Sequence, residues 1–178
     1  MKSLLYAIII LLSISITNQA TADDKPLTGQ AKIDSLISEL PKAKGDTNEV
    51  KLLMSLSYNY RNIDTDKGIK YVKRGVNLAK KINWKKGEAN CYRALAICFN
   101  EGKNNYPKAL EYYNKSLKIM ESLGNKKGMA IRYNEMGTIY KNLSDYPKAL
   151  DYHQKALNIS EEIGFKSGIA ANLGNIGN

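Results

Sequence analysis

The 178 residues of this chain include only two cysteines, one histidine, two phenylalanines and one tryptophan. Two cysteines are too few for a framework of several disulfides, and with one histidine they offer little for a metal centre. The chain also lacks a glycine-rich phosphate-binding loop and any local Ser–His–Asp or Cys–His arrangement. We therefore expect no catalysis, no cofactor and no metal within these residues.

The two cysteines do not form an obvious redox pair. Cys91 and Cys98 are seven residues apart on one predicted helix, which separates them by about 10 Å. A disulfide requires Cα atoms within about 7 Å, so this pair cannot form one unless the helix unwinds. We expect two small buried side chains at helix-packing positions. For the single histidine, His153, we also expect a packing role.

A long hydrophobic run is absent except near the N-terminus, where residues 4–16 are mostly apolar. Lys2 precedes this run and the Ala-Thr-Ala of residues 20–22 follows it, which is the pattern of a cleaved signal peptide spanning residues 1–22. The alternative, a transmembrane anchor, needs about 20 apolar residues, and this run has 13. We expect export to a bacterial periplasm or out of the cell, with no membrane segment within residues 23–178.

Acidic residues are outnumbered, since 17 Asp and Glu against 27 Lys and Arg give a net charge of +10. Lysines recur at matching positions along the chain, namely Lys80, Lys81, Lys85, Lys86, Lys126, Lys127 and Lys166. They form either a solvated edge that keeps the protein soluble or a docking edge for an acidic surface. Export argues against nucleic acid as the partner.

The most informative feature is self-similarity at a spacing of 40 residues. The segment Tyr-Pro-Lys-Ala-Leu of residues 106–110 returns at residues 146–150, and Gly124 returns as Gly164. A fixed period predicts units that bury their apolar faces only by stacking on their neighbours. The chain is therefore expected to form a repeat architecture.

The residues at the repeated positions resemble those of the tetratricopeptide repeat (TPR) family. The family's first helix has a large residue, Leu-Gly and Tyr at fixed spacing, and its second helix has Ala-x3-Phe. The best copy here has Tyr133, Met136, Gly137 and Tyr140, followed by Ala149 and His153. The period of 39 to 41 residues exceeds the family's usual value of about 34, and the proline that ends the second helix is missing. The resemblance implies an all-α fold, a right-handed α-α superhelix (TPR solenoid) of stacked antiparallel helix pairs.

The repeat register divides the chain into a TPR domain over residues 32–178 and the segments before it. We predict a signal peptide at 1–22, a flexible lead-in at 23–31, a cap helix at 32–44, repeats at about 48–82, 86–123 and 127–163, and an incomplete repeat at 166–178. The second repeat is one residue longer than the third. We expect its extra residue in the linker of residues 102–105.

In TPR proteins the first helix of each repeat lines a concave groove, so the resemblance implies a protein or peptide partner. Carried over by register, the candidate groove residues are Met54, Tyr58, Arg61, Asn62, Arg93, Ile97, Asn100, Asn134, Glu135, Thr138 and Lys141. A polar helix face without a partner is the alternative. If the groove is real, replacing Arg61 and Arg93 by Glu should weaken binding and leave the melting temperature near the wild-type value.

The carboxylate clamp of some TPR proteins is not expected, because its positions are held by Met54, Tyr58, Ala94, Ile131 and Glu135. Residues 33–36 and 41–48 resemble the start of exported bacterial sensor proteins, in which TPR repeats precede a transmembrane helix and an output domain. That resemblance implies a second hypothesis, the input domain of a longer signal-transduction protein with a histidine kinase, nucleotide cyclase or transcription regulator as its output. A stand-alone scaffold is the third hypothesis. The final repeat stops inside a helix, which favours a longer protein.

Overall fold

The structure is a computed structural model, and it describes residues 28–177. Helices dominate this range, and no strand occurs within it. The helices are α1 (Gly29–Glu39), α2 (Thr47–Tyr60), α3 (Thr65–Lys81), α4 (Lys85–Ile97), α5 (Tyr106–Ser122), α6 (Lys126–Asn142), α7 (Tyr146–Glu162) and α8 (Lys166–Ile176). The predicted signal peptide at 1–22 and most of the predicted lead-in lie outside the described residues.

Consecutive helices pack as antiparallel pairs, and each pair stacks on the next. Helices α2 and α3, α4 and α5, and α6 and α7 form the three pairs, while α1 packs on α2 and α8 packs on α7. Each helix has one face of buried residues, as in α3, where Ile69, Val72, Val76 and Ala79 lie at helical spacing. The all-α fold that the repeats predict is confirmed.

Small residues set the distance between the helices of a pair. A methyl group on Gly137 of α6 would lie 2.8 Å from the His153 ring of α7, which is closer than carbon atoms pack. His153 itself is 1% exposed. Glycine at position 137 therefore lets the third pair close around a large side chain on α7.

The turns between helices rely on left-handed residues and side-chain caps. Gly124 and Gly164 have φ values of 60° and 64° after the second helix of their repeats, a conformation that glycine adopts without strain. Asn125 and Asp145 then cap α6 and α7 by accepting hydrogen bonds from the backbone N–H groups of Gly128 and Lys148. These turns reverse the chain direction after each helix, which keeps the helix pairs in register.

The extra residue of the second repeat forms a π-helical turn, Cys98–Gly102, at the end of α4. The prediction that this residue lies in the linker of residues 102–105 is therefore wrong. The turn brings Gly102 against the α2–α3 connection, where Thr65 Oγ1 lies 3.4 Å from the Gly102 carbonyl oxygen and Glu101 pairs with Arg61 at 2.9 Å. These contacts with the first repeat stabilise the π-helical turn, which is a rare conformation.

The N-terminal part of the domain also differs from the prediction. Helix α1 begins at Gly29, so residues 29–31, assigned from sequence to the flexible lead-in, are helical. It packs Ile33 and Leu36 against the buried side chains of α2, and this packing stabilises the whole helix. The α-helix ends at Glu39, whereas the predicted cap helix extended to residue 44. Pro41 interrupts the α-helical hydrogen bonds, and the chain continues as a 3-10 turn, Leu40–Lys42.

Candidate functional site

Side chains of α2, α4 and α6 meet around one ion cluster, which we call the Arg93 cluster. It consists of Tyr58 on α2, Arg93 on α4, and Arg132 and Glu135 on α6. Arg93 Nε donates to Glu135 Oε1 at 2.6 Å, and Arg132 Nη1 donates to Glu135 Oε2 at 3.1 Å. Arg93 Nη1 also donates to the Tyr58 hydroxyl at 3.3 Å. One carboxylate therefore holds two guanidinium groups, and the bond between Arg93 and Tyr58 extends the cluster to a third repeat.

The side chains of the cluster become less exposed from Arg93 to Glu135 to Arg132. The side chains of Arg93, Glu135 and Arg132 are 33%, 16% and 3% exposed. Arg132 Nε donates to Ser116 Oγ at 2.8 Å, and Ser116 Oγ donates to the Ala89 carbonyl oxygen at 2.7 Å. The bonds of Glu135 with Arg93 and of Arg132 with Ser116 join the second repeat to the third, so the cluster stabilises the stacking of the repeats as well as forming their polar surface.

Burial and charge act in opposite directions on the two arginines. Burial lowers the pKa of Arg132, although the Glu135 carboxylate opposes this effect. Burial also acts to lower the pKa of Arg93, but the hydrogen bond and attraction to Glu135 outweigh it, and the pKa is raised. Arginine stays protonated near neutral pH. The cluster therefore carries two positive charges and one negative charge.

Two clefts lie on either side of the Arg93–Glu135 pair. The first, of about 160 Å³, runs between α4 and α6 and is lined by Arg93, Ile97, Asn100, Glu101, Tyr113, Glu135 and Thr138. The second, of about 210 Å³, runs between α6 and α8, and its lining includes Arg93, Ile131, Asn134, Glu135, Ser167, Gly168 and Asn172. We call them the α4–α6 cleft and the α6–α8 cleft.

Six of the eleven residues predicted for the groove line these two clefts: Arg93, Ile97, Asn100, Asn134, Glu135 and Thr138. Tyr58 joins them through its hydrogen bond with Arg93. Four predicted residues lie outside the clefts. Met54 packs against the core, and Arg61 pairs with Glu101. Asn62 is exposed, and Lys141 lies near His153.

Three of the charged candidates are already paired within the chain. Arg93 and Glu135 bind each other, and Arg61 binds Glu101. The sequence treated Arg61 and Arg93 as side chains whose reversal to Glu would spare the melting temperature. The pairing contradicts that reasoning, since Arg93→Glu would place a second, mostly buried carboxylate beside Glu135.

The sequence also missed residues that support the clefts, among them Arg132 and Asn172. By register both occupy the position of Cys91, which is fully buried. The available signal was a polar residue, Arg132 or Asn172, at a register position that a buried cysteine occupies in the second repeat. It pointed to a polar contact inside the stack, although it could not identify Glu135 as the partner.

Asn134 connects the α6–α8 cleft to the buried histidine. Its Oδ1 accepts hydrogen bonds from Asn175 Nδ2 at 2.9 Å and from His153 Nδ1 at 3.1 Å. Burial lowers the pKa of His153, and the nearby Lys141 adds to the effect, whereas the neighbouring Asn172 side chain opposes it. The neutral histidine is therefore part of the packing that positions Asn134.

Two other surfaces carry clustered charged or apolar side chains. Along the lysine-rich edge, Lys126 is paired with Glu162 and Lys85 with Glu88, so acidic neighbours neutralise part of the edge. On the last two helices, Tyr146, Leu150 and Leu173 are 64%, 51% and 53% exposed. Within residues 28–177, no helix is both long and apolar enough to span a bilayer, and no group of acidic, His or Cys side chains is arranged to hold a metal ion.

Comparison with known proteins identifies the fold. No family model matches the chain, and no curated protein matches it significantly. Among solved structures, BtubC (BKLC) from P. vanneervenii superposes with a TM-score of 0.65 at 20% identity, over 81% of this chain and 60% of that one. The apo form of RapI superposes with a TM-score of 0.68 at 20% identity, over 92% of this chain and 51% of RapI.

A third structure, MamA, has 20% identity over 75% of this chain and 90% of its own, but its TM-score is only 0.38. The chain thus spans between half and three-fifths of the length of BtubC and RapI. Together with the helix pairing, the two good superpositions define the class of protein. It is a TPR-like, right-handed α-α solenoid of stacked antiparallel helix pairs.

Proposed function

We propose that this chain is a non-catalytic protein-interaction module that binds a protein or peptide partner outside the cytoplasm. The observation that carries the proposal is the pair of clefts on either side of Arg93 and Glu135, lined by side chains of successive first helices. Stacked helix pairs form extended binding surfaces of this kind. The proposed site is the surface formed by both clefts together, which we call the groove.

The size and chemistry of the clefts favour a polypeptide over a compact small molecule. Small-molecule pockets usually measure roughly 300–1,000 Å³, whereas these clefts measure about 210 and 160 Å³ and follow one another along the groove. Asn100 and Asn134 carry amide groups that can donate to and accept from a peptide backbone, and Ile97 offers apolar contact. An extended segment could use both clefts at once.

The proposed location rests on the signal-peptide pattern of residues 1–22. The buried cysteines are compatible with it, because burial raises the pKa of Cys91 to about 12 and raises that of Cys98. Buried, protonated thiols are slow to oxidise. Fusing residues 1–30 to an alkaline phosphatase that is active only after export tests the location. Activity supports export, and an inactive cytoplasmic fusion contradicts it.

The binding function is tested by selecting random twelve-residue peptides, displayed with a free C-terminus, on the chain from residue 23 onward. Thr138→Arg fills the α4–α6 cleft, and Asn114→Arg is the matched control. Both side chains lie on helices, and each bonds the backbone carbonyl four residues earlier. We expect enriched peptides whose binding Thr138→Arg weakens at least tenfold and the control leaves unchanged. Failure to enrich any peptide, or equal binding to both variants, would contradict the proposal.

The second candidate function is the input domain of a longer signal-transduction protein. The exposed Leu150 favours it, since Leu110 at the equivalent position is partly covered by the next repeat. A further helix packed on α7 and α8 would cover Leu150 and Tyr146 in the same way. Reading the coding frame past residue 178 tests this candidate. A second-helix sequence followed by about 20 apolar residues would support it, and an immediate stop codon would contradict it.

A further inference from the structure

The outer surface of α3 is far more basic than the same surface of the other second helices. Helix α3 contains six Lys and Arg against one Asp, α5 contains three basic against two acidic residues, and α7 contains two against three. Four exposed residues of α3 lie on one outward stripe at helical spacing: Lys70, Lys73, Arg74 and Lys81. We call this stripe the α3 face; its last member also belongs to the lysine-rich edge. The positive charge of the second helices is therefore concentrated on the first repeat.

The other two repeats neutralise the same positions with acidic residues. By register, Lys70 and Arg74 occupy the positions at which α5 has Glu111 and Lys115, and there the carboxylate pairs with the ammonium group at 2.5 Å. Helix α7 forms the same kind of pair with Asp151. Opposite charges four residues apart stabilise a helix, whereas like charges at that spacing destabilise it. The α3 face thus replaces a stabilising pair by two positive charges that repel each other.

Neighbouring acidic residues do not compensate for this loss. Arg74 lies 3.5 Å from Glu49, and within residues 28–177 the other three basic residues of the face form no ion pair. Asp66, the one acidic residue of α3, pairs at 2.8 Å with Lys103 of the second repeat. The α3 face therefore keeps an excess of positive charge that a partner can neutralise.

An aromatic cleft lies beside the α3 face. It measures about 270 Å³, is formed by α3, α4 and α5, and its lining includes Lys73, Tyr92 and Tyr112. The two tyrosine rings stack with their centroids 6.1 Å apart, and aromatic side chains of this kind are favoured at protein interfaces. A partner on the α3 face can therefore combine carboxylates next to the lysines with an apolar side chain in the cleft.

The neighbouring helices favour a narrow partner over an anionic bilayer. The outer positions of α5 and α7 carry the exposed carboxylates of Glu111, Asp151 and Glu162. A flat anionic surface that covered all three second helices would bring its own negative charges against these carboxylates, and like charges oppose binding. A helix lying along α3 alone avoids them. The face extends about 16 Å from Lys70 to Lys81, which is three turns of such a helix.

We propose that the α3 face binds an acidic helical segment of a partner protein, and that an apolar side chain of this segment enters the cleft between Tyr92 and Tyr112. Carboxylates one turn apart on the partner match the spacing of the basic residues of the face. They take the place of the acidic residues that α5 and α7 carry within the chain. This surface is separate from the groove and does not depend on it.

The test uses a synthetic alanine-rich helical peptide with glutamate at every fourth residue and one leucine, together with the same peptide carrying glutamine in place of glutamate. We expect the wild-type protein to bind the glutamate form at least tenfold more tightly. The affinity should fall as salt is added, because salt screens exposed charges. Fluorescence anisotropy measures both effects. Equal binding of the two peptides, or binding of neither, would overturn the proposal.

Two protein variants show whether the α3 face is the site. Lys70→Glu restores the acidic residue that α5 has at this position, and the control Lys118→Glu makes the same change of charge at an exposed position of α5. The new carboxylate can pair with Arg74, so we expect a melting temperature no lower than that of the wild type and a tenfold loss of peptide affinity. The control should bind within twofold of the wild type. An equal loss in both variants would mean that net charge alone attracts the peptide, which would contradict the proposal.

Two further measurements separate the α3 face from a membrane site and from the groove. Vesicles of equal parts phosphatidylcholine and phosphatidylglycerol should not sediment with the wild-type protein, and sedimentation that Lys70→Glu abolishes would make the partner a bilayer and overturn the proposal. Thr138→Arg, which fills the α4–α6 cleft of the groove, should bind the glutamate peptide as the wild type does. A tenfold loss in that variant would place the peptide in the groove and count against the α3 face.

Discussion

Replacing Glu135 by glutamine tests whether the Arg93 cluster stabilises the stack of repeats. The substitution keeps the shape of the side chain and removes the carboxylate that pairs with both Arg93 and Arg132. Leaving a buried charge without its partner costs about 3–5 kcal/mol, and Arg132 is 3% exposed. Because Arg93 is a third exposed and can turn to water, we expect a loss of about 3 kcal/mol in the free energy of unfolding.

A loss of that size lowers the melting temperature by about 6–12 °C in a chain of this length. Thermal and urea unfolding followed by circular dichroism at 222 nm measures it. Glu111→Gln is the matched control, because Glu111 pairs with Lys115 on the exposed face of α5, where an ion pair contributes little. A melting temperature of Glu135→Gln within 2 °C of the control, roughly the scale of 1 kcal/mol, would refute the reasoning.

Two further predictions concern the contact between α6 and α7. Gly137→Ala places a methyl group 2.8 Å from the His153 ring and should lower the free energy of unfolding by about 1–3 kcal/mol. The control Gly174→Ala, whose methyl group meets nothing within 4 Å, should not lower it. Equal unfolding curves for the two variants would contradict this prediction. Since burial lowers the pKa of His153, the unfolded chain binds the proton more readily. Stability is complete above about pH 6.5 and should fall as the pH drops below it. Between pH 7 and pH 5, urea unfolding should show a decrease in the free energy of unfolding of the wild type, and a smaller decrease in His153→Gln. An identical decrease in both proteins would contradict this prediction.

The sequence predicted most of the fold because the fold depends on local patterns and on repetition. Gly137 is determined by its contact with His153 in the same repeat, and Gly124 and Gly164 are determined by the left-handed backbone of their turns. Helical periodicity and turn residues report such contacts directly. The π-helical turn Cys98–Gly102 was missed, because an inserted residue can enter either a helix or a linker and sequence spacing does not distinguish them.

The candidate site could be predicted only in outline. Register identified the helix faces that line the clefts, and six predicted residues lie there. It could not show that Arg93 and Glu135, 42 positions apart, neutralise each other, since their separation in space depends on how the repeats stack. Nor could it show that Phe165 leaves α8 without the cap that Asn125 gives α6, because a cap depends on backbone geometry as well as residue type.

The most direct test of the proposed function is a map of where a selected peptide binds. A ¹⁵N-labelled chain from residue 23 onward is titrated with the tightest peptide, and amide chemical shifts are followed by NMR. Binding in the groove predicts the largest changes at Asn100, Asn134, Thr138 and Gly168, which line the two clefts. Changes concentrated instead at Lys85 and Lys126 would place the partner on the lysine-rich edge and contradict the account.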